Sequence, residues 1–474
     1  MIRVFTRKTL YILFAIPLIV PQPVFAHAFG QKYTLPIPFW LYLYGAAAAL
    51  IVSFLIIGYF INQTKKDFSY SRVLLFKTGV TSSLVSILKI TSIFFFFLTI
   101  LTGIVGIDSS YSNFNMSFFW LIFLLGFTYL TAFVGNLWST VNPWKILVEF
   151  GESAIGKKTK GIFNYPQKLG YWPSFMVYFL LIWFELVGGT TPAKLSLLII
   201  YYTLINFAGA IAIGKQNWFS YCEFFSVFFG LIAKIAPIES SSGRIYLRPP
   251  FVGLVNDKPK HFSLLVFILF MLSSTAFDGF SSTIPWLRIS GRLETITGVF
   301  LGENSLLTFQ AVKTLGLLLS PVIFLYIYLA LIALAKAVTG DKQTIRELAS
   351  QFALTLIPIA LVYNIAHYYT LLITEGQNIV RLISDPFGFG WNLFGTANFM
   401  PNIGIIGASF VWHSQVLIIL LGHVIAVFLA HLVALKIFPS HQKALVSQFP
   451  MLLLMVIYTV TGLWILSQPI TTGF

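Results

Sequence analysis

Cysteine and charged residues are scarce in this sequence. Its 474 residues include one cysteine, Cys222, which excludes an internal disulfide framework and a cysteine-based metal cluster. Only 9% of the residues are charged, whereas 57% are hydrophobic and 17% are aromatic. Soluble domains carry roughly 25% charged residues. The composition therefore excludes an ordinary soluble protein and indicates an integral membrane protein.

Familiar catalytic patterns are missing as well. No Ser-His-Asp order, Gly-rich phosphate loop, His-Glu-x-x-His pair or His-x-His pair stands out in the sequence. No internal repeat is apparent either, which disfavours a transporter built from inverted repeats. Motifs alone therefore name no reaction class.

The first 26 residues have the pattern of a secretory signal peptide. A basic start, "MIRVFTRK", precedes the apolar run "TLYILFAIPLIV", and Val24 and Ala26 occupy the −3 and −1 positions of a signal-peptidase site. Cleavage there leaves His27 as the mature amino terminus and residues 27–474 as a single transmembrane domain. A retained signal would add one more helix.

Ten apolar runs follow, each long enough to cross the roughly 30 Å hydrocarbon layer of a bilayer. They lie near residues 38–61, 90–107, 117–136, 171–189, 195–214, 261–281, 311–337, 350–374, 406–436 and 449–469. The sequence thus predicts an all-α fold, a polytopic transmembrane helix bundle of about ten spans.

The basic residues predict the orientation of this bundle. With the mature amino terminus outside, 21 Lys and Arg residues fall in inner segments and 6 in outer segments, as the positive-inside rule requires. We therefore predict a bacterial inner (cytoplasmic) membrane protein with both mature termini outside. The net charge of +15 then reflects orientation and contact with anionic lipid, and no nucleic-acid partner is predicted.

Two aromatic segments on the predicted inner face are interrupted by polar residues. They read "NLWSTVNPWKILVEF" and "NWFSYCEFFSVFFGLIAKI". Each fits a helix that lies in the membrane interface, and the second also fits a re-entrant element. On the predicted outer face, residues 282–310 and 375–405 are the loops long enough to form a lid.

Four ionisable residues on four different spans share a depth near the predicted outer face: Glu185, Asp278, His367 and His413. Ionisable groups inside a bilayer are costly and usually face the bundle interior, where they mark functional sites. We predict that the four converge on one pocket, with Asp278 and Glu185 as catalytic carboxylates. His367, His413 and the amino-terminal His27 are the candidate ligands of a divalent metal, Zn or Cu. The alternative is that the carboxylates cap helix ends and the histidines are packing residues.

The ninth span carries three histidines, His413, His423 and His431. At ~100° and ~1.5 Å per residue they lie on one helix face, separated along the axis by about 15 and 12 Å. Metal–nitrogen bonds of ~2 Å exclude a single ion shared by all three. His423 and His431 are therefore predicted to be hydrogen-bonded packing residues or steps of a proton pathway.

Several longer stretches resemble a known family. They include "HAFGQKYTLPIPFWLYLYGAAAALIVSF", "GNLWSTVNPWKIL", "AHYYTLLITEGQ", "SDPFGFGWNLFGTA" and "GHVIAVFLAH". Between His27 and His431 the chain resembles bacterial polytopic membrane proteins commonly labelled fenitrothion hydrolase. This resemblance implies hydrolysis of an organophosphorus triester, a hydrophobic small molecule that reaches the site from the lipid bilayer. Where the family pattern has a tyrosine after the tryptophan of the ninth span, this chain has His413, which leaves His367 the stronger ligand candidate.

Three functions remain open at this point. The first is a membrane hydrolase, in which a bound metal lowers the pKa of its water to about 7 and supplies hydroxide. The second is a copper-handling protein or membrane oxidase subunit, with the amine and Nδ1 of His27 chelating the ion. The third is a transporter or assembly factor whose polar cluster moves protons or a solute.

Overall fold

Helices make up nearly all of the structure, which is a computed structural model describing residues 38–61, 70–77, 82–241, 244–257, 259, 261–302 and 305–468. The main helices are α1 (Phe39–Phe60), α2 (Ser82–Val105), α3 (Phe114–Val134), α4 (Pro143–Ile155), α5 (Trp172–Leu186), α6 (Pro192–Ile213), α7 (Phe224–Ile232), α8 (Phe262–Ser281), α9 (Ile284–Leu301), α10 (Leu306–Thr339), α11 (Ile345–Phe352), α12 (Ile357–Thr374), α13 (Ala408–Ile437) and α14 (His441–Ser467). Strands β1 (Val73–Lys77), β2 (Ile238–Ser241) and β3 (Arg244–Leu247) form a small antiparallel sheet in the order β1-β3-β2. The predicted signal peptide and His27 lie outside the described residues.

The predicted all-α polytopic helix bundle is confirmed. In the described part of the chain, nine helical segments are long and apolar enough to cross a membrane, with α11 and α12 belonging to one continuous segment. The predicted fourth span corresponds to α5, which is apolar but only 15 residues long. The predicted outer loop 282–310 contains helix α9. The chain therefore has the architecture of a multi-pass membrane protein, and its apolar outer surface suits a lipid bilayer.

Contacts between neighbouring helices define two ends of the bundle. The Tyr42 hydroxyl lies 3.3 Å from Nε2 of His413, and Nε2 of His431 lies 2.9 Å from the carbonyl oxygen of Ile61, so α1 and α13 run in parallel. Helix α12 runs the opposite way, because Tyr369 contacts Ser414 near the start of α13, whereas the earlier residue Val362 packs against Gly422 further along α13. We call the end where α1 begins the predicted outer end, and the opposite end the predicted inner end.

The first aromatic segment folds back into the bundle as a hairpin of residues 135–155, here called the first hairpin. Gly135, with φ of +86°, turns the chain at the end of α3. The hydroxyl of Ser92 then donates to the carbonyl of Val141 over 2.5 Å. Ser92 is ten residues into α2, so Val141 lies ~15 Å from the predicted inner end. Helix α4 returns towards that end, where Lys89 pairs with Glu149 at 3.6 Å.

Residues 214–232 form the second hairpin in the same way. Gly214, with φ of +85°, turns the chain after α6, and Trp218 then donates to Oδ1 of Asn206 over 2.7 Å. Glu223 reaches Tyr202, which lies ~16 Å before the end of α6. Helix α7 then returns towards the predicted inner end, and seven of its nine residues are buried. The segment is thus re-entrant rather than interfacial, because a helix lying on the bundle would leave one face exposed.

The two hairpins meet inside the bundle at their tips. Nδ2 of Asn142, the residue that caps α4, donates to Oε2 of Glu223, which caps α7, over 3.0 Å. The first hairpin follows the antiparallel helices α2 and α3, and the second follows the antiparallel helices α5 and α6. The order of two helices and a hairpin therefore occurs twice. The sequence conceals this repeat because few positions correspond, chiefly a turn glycine, a tryptophan three or four residues later and a polar cap.

Substitution of Gly209 by alanine is expected to loosen the second hairpin. A Cβ at Gly209 would lie 2.1 Å from the ring of Trp218, a clash that the rigid indole cannot relieve without moving the hairpin. The single cysteine, Cys222, is buried in the second hairpin. Because a shifted hairpin exposes this thiol, the rate at which a thiol reagent labels Cys222 should increase at least severalfold. Gly151→Ala is the matched control, since nothing lies within 4 Å of its Cβ position. Equal labelling rates in the two variants would contradict the packing described here.

Candidate functional site at the predicted outer end

Asp278 is the centre of a polar cluster formed by α8 and α12. Its Oδ2 lies 3.0 Å from Nε2 of His367 and accepts a hydrogen bond of 2.6 Å from the hydroxyl of Tyr368. The two rings are consecutive in α12 and meet edge to face, with centroids 4.5 Å apart. The side chains of His367 and Asp278 are 15% and 12% exposed, so the pair is half-buried without being sealed. This is the contact between predicted site residues that the structure shows directly.

The Asp278 contact sets the tautomer of the His367 ring when the carboxylate is ionised. An ionised carboxylate accepts but cannot donate, so Nε2 carries the proton that points to Asp278. Nδ1 is then the basic nitrogen. In the described part of the chain Nδ1 has no hydrogen-bond partner, and it is not among the fully enclosed unpartnered atoms. Gly279 lies beside this edge of the ring, where a Cβ would come within 3.2 Å of Cε1 and 3.5 Å of Nδ1 of His367.

Two further charged residues lie close to this pair. Glu185, in the last turn of α5, is within electrostatic range of Asp278 and of Tyr368. Lys313, near the start of α10, is within electrostatic range of Asp278, with its ammonium 5.8 Å from the ring centre of Phe309. Opposite charges in a poorly solvated place attract strongly, so the lysine offsets part of the negative charge of Asp278.

Lys313 is the member of this cluster that sequence reasoning missed. The sequence places it in the first two turns of α10, where it counts only as an outer basic residue. The signal that points to Lys313 is its position between Gln310 and Thr314, two polar residues that contact α5 and the residue after it. Nε1 of Trp183 donates to Oγ1 of Thr314 over 2.7 Å, and Nε2 of Gln310 lies 3.4 Å from the carbonyl of Val187. These contacts bring α10 alongside the helix that carries Glu185.

His413 has different partners from His367. It is exposed, its Nε2 lies 3.3 Å from the Tyr42 hydroxyl, and its Nδ1 lies 2.7 Å from the carbonyl of Ser409. The described contacts of His413 therefore lead to α1, whereas those of His367 lead to α8. The prediction that both histidines belong to one pocket finds no contact in its support.

The other polar residues near this depth serve the packing of α12. Asn364 accepts a hydrogen bond from the Tyr129 hydroxyl at 3.1 Å. Gln415 binds the carbonyl of Ala366 at 2.9 Å. Deeper in α13, Nδ1 of His423 lies 2.8 Å from the carbonyl of Ile419, while His431 contacts α1. Both histidines are buried, as packing residues would be.

A metal site is not formed by the described residues alone. Among them, no three His, Cys, Asp or Glu side chains come together in a way that could hold an ion. The contact between Asp278 and His367 supplies two ligating groups, and the third predicted ligand, His27, is outside the described part. The donor set in hand therefore fits an acid–base pair better than a metal centre, which ordinarily has at least three protein ligands.

Comparison with known proteins does not identify this site. No family model, no curated protein and no solved structure matches the chain. The function is therefore inferred from the geometry of the cluster and from the sequence resemblance given above.

Proposed function

We propose that the chain is a membrane hydrolase that uses His367 as a general base, oriented by Asp278, to hydrolyse an organophosphorus triester at the predicted outer end. The contact of 3.0 Å between His367 and Asp278 carries the proposal. It leaves the basic Nδ1 unpartnered in a half-buried setting, which is what a general base needs. The choice of substrate comes from the family resemblance.

The reaction can be written with residues of this chain. A water oxygen attacks phosphorus while its proton passes to Nδ1 of His367, and the bond from phosphorus to the leaving aryl oxygen breaks. The imidazolium then gives its proton to the departing oxide, so a diester and a phenol are released and the base is regenerated. Asp278 stabilises the transient imidazolium, and Tyr368 holds the carboxylate in place through its hydrogen bond.

Lys313 and Glu185 set the charge of the site. Negative charge develops on the phosphoryl oxygen as water attacks, and a nearby ammonium lowers the energy of that state. Lys313 is the basic residue within electrostatic range of Asp278 and fits this role. Glu185, within electrostatic range of Asp278, is the second carboxyl group of the site. A hydrophobic triester would enter sideways from the bilayer, since a half-buried cluster near a bundle end faces its headgroup region.

The test is hydrolysis of a nitrophenyl phosphotriester by the purified protein in lipid nanodiscs, followed through nitrophenolate absorbance. We expect turnover above that of empty nanodiscs, and an about 10- to 100-fold decrease in kcat for Asp278→Asn. An asparagine still contacts the ring but cannot stabilise the imidazolium as a carboxylate does. Glu149→Gln, a carboxylate change at the predicted inner end, is the control and should leave kcat unchanged.

Two outcomes would contradict this function. Turnover equal to that of empty nanodiscs would remove the hydrolase proposal. Turnover that disappears with a chelator and returns with Zn²⁺ or Cu²⁺ would instead favour a metal held partly by residues outside the described part, His27 among them.

A further inference from the structure

A polar cavity of about 170 Å³ lies between the two hairpins, far from the Asp278 cluster. One water molecule takes up about 30 Å³ of liquid, so the cavity has room for a small hydrated solute. Its mouth includes Asn136 and Gln216, which are exposed and directly follow the turns at the hairpin bases. Its inner wall includes Ser226, whose hydroxyl lies 3.3 Å from Nδ2 of Asn142 at the hairpin tips. The cavity thus leads from the predicted inner end towards the place where the hairpins meet.

The lining of this cavity is cationic. Two lysines line it, Lys145 of the first hairpin and Lys215 of the second, and none of the residues that line the cavity is acidic. Lys215 is neutralised by Glu152, whose Oε2 lies 2.5 Å from its Nζ, and this hydrogen bond lowers the pKa of Glu152. Lys145 instead donates to the carbonyl of Ser139 over 3.1 Å, which leaves two of its three N–H donors for a ligand.

Hydrogen-bond donors surround the lysines. The hydroxyls of Ser220 and Ser226 line the cavity, whereas that of Ser139 already donates to the carbonyl of Asn136 over 2.8 Å. The side-chain amides of Asn136 and Gln216 stand at the mouth of the cavity. The carboxylates that contact lining residues are already engaged: Glu152 and Glu149 pair with Lys215, and Glu223 is enclosed and accepts hydrogen bonds from five donors. A cation entering the cavity would therefore meet an ammonium and find no free carboxylate, whereas an anion would meet donors on both sides.

We propose that this cavity binds a phosphate-type oxyanion that enters from the predicted inner end. The anion is held between the two hairpins by the ammonium of Lys145 and the hydroxyls of Ser220 and Ser226. The phosphate comes either from solution or from the headgroup of a lipid, because both present the same tetrahedral oxyanion. Occupation would tie the hairpins together, since its ligands come from both. The site is independent of the hydrolase proposal.

The test measures stabilisation of the intact protein by inorganic phosphate. In a neutral detergent, phosphate should raise the apparent Tm relative to chloride at equal ionic strength, by mass action on a binding site. Lys145→Gln should weaken the apparent affinity at least tenfold, whereas Lys145→Arg, which keeps the charge, should retain most of it. Lys443→Gln is the matched control, an exposed lysine at the same end that does not line the cavity.

A second arm separates the two sources of phosphate. The protein is transferred to nanodiscs of phosphatidylglycerol or of a phosphate-free galactolipid. Stabilisation by phosphatidylglycerol but not by inorganic phosphate, lost in Lys145→Gln, identifies a lipid headgroup, and the reverse pattern identifies the free ion. The proposal is overturned if neither form of phosphate stabilises the wild type, or if Lys145→Gln and Lys443→Gln respond alike.

Discussion

His367→Gln is expected to lower the turnover of a phosphotriester by about 10²- to 10⁴-fold, the usual contribution of a positioned general base. Glutamine can still donate a hydrogen bond to Asp278, so the packing of α8 against α12 should survive. Its amide has no basic nitrogen to replace Nδ1. The loss should therefore appear in kcat, while the protein remains folded and inserted.

The controls for this prediction come from other histidines of the chain. His261→Gln removes a ring that packs between Tyr171 and Tyr221 at the predicted inner end and should leave turnover unchanged. His413→Gln discriminates between mechanisms. It should have little effect if His367 acts with Asp278 alone, but a loss as large as that of His367→Gln would indicate that the two histidines share a metal. Wild-type turnover in His367→Gln would exclude the general-base role.

The architecture of the bundle could be predicted because apolar length and charge act locally. A run of about 20 apolar residues has to cross the membrane as a helix wherever it occurs, since its backbone groups need internal partners. Helix α5 is the exception to this rule. Helix α5 was predicted as a full span, but only 15 of its residues are helical, and the glycines Gly188 and Gly189 directly follow it.

The site could be predicted in part for the same reason. Counting residues gives the depth of a side chain, which is why Asp278 and His367, now seen in contact, are predicted at one level together with Glu185 and His413. Counting does not show which way a side chain points, because the rotation of each helix about its own axis depends on its neighbours. His413 shares the depth of the pair, yet its contacts are with α1. Lys313 was overlooked because a basic residue near a helix end is explained well enough by membrane orientation.

The hairpins could not be predicted firmly because their polar tips read as interface residues. "NLWSTVNPW" has the aromatic and polar mixture of a membrane surface, and only tertiary contacts show that it turns inwards. Asn142 and Glu223 become explicable once they meet, since irregular backbone inside a membrane protein needs such polar partners. The polar residue at each tip caps a helix, and the two residues are joined by a hydrogen bond.

Glu223→Leu is the substitution we expect to damage the fold most. The Glu223 carboxylate is fully buried and accepts hydrogen bonds from five donors: Nε1 of Trp138, Nδ2 of Asn142, the hydroxyl of Tyr202 and the backbone N–H groups of Phe225 and Ser226. Leucine fills similar space but accepts nothing. Each buried donor left without a partner costs about 1–3 kcal/mol.

The expected loss for Glu223→Leu is therefore on the order of 5 kcal/mol or more, against a typical total stability of about 5–15 kcal/mol. We expect a protein that aggregates on extraction into detergent, or one with a strongly lowered Tm and a rapidly labelled Cys222. Glu223→Gln should be intermediate. Its amide oxygen can still serve Tyr202 and Phe225, but its NH₂ group then faces the donors of Asn142 and Ser226.

Glu149→Gln is the control for the loss of stability expected in Glu223→Leu. Glu149 is a half-exposed carboxylate at the base of the first hairpin, paired with Lys89 and Lys215 at 3.6 and 3.7 Å. Exposed pairs of this kind contribute about 0–1 kcal/mol, so its loss should hardly move the Tm. A Glu223→Leu protein as stable as Glu149→Gln would show that the hairpin tips do not depend on this carboxylate. A large difference would mean that the tips are held by hydrogen bonds to Glu223, because the aromatic packing around α7 is the same in both variants.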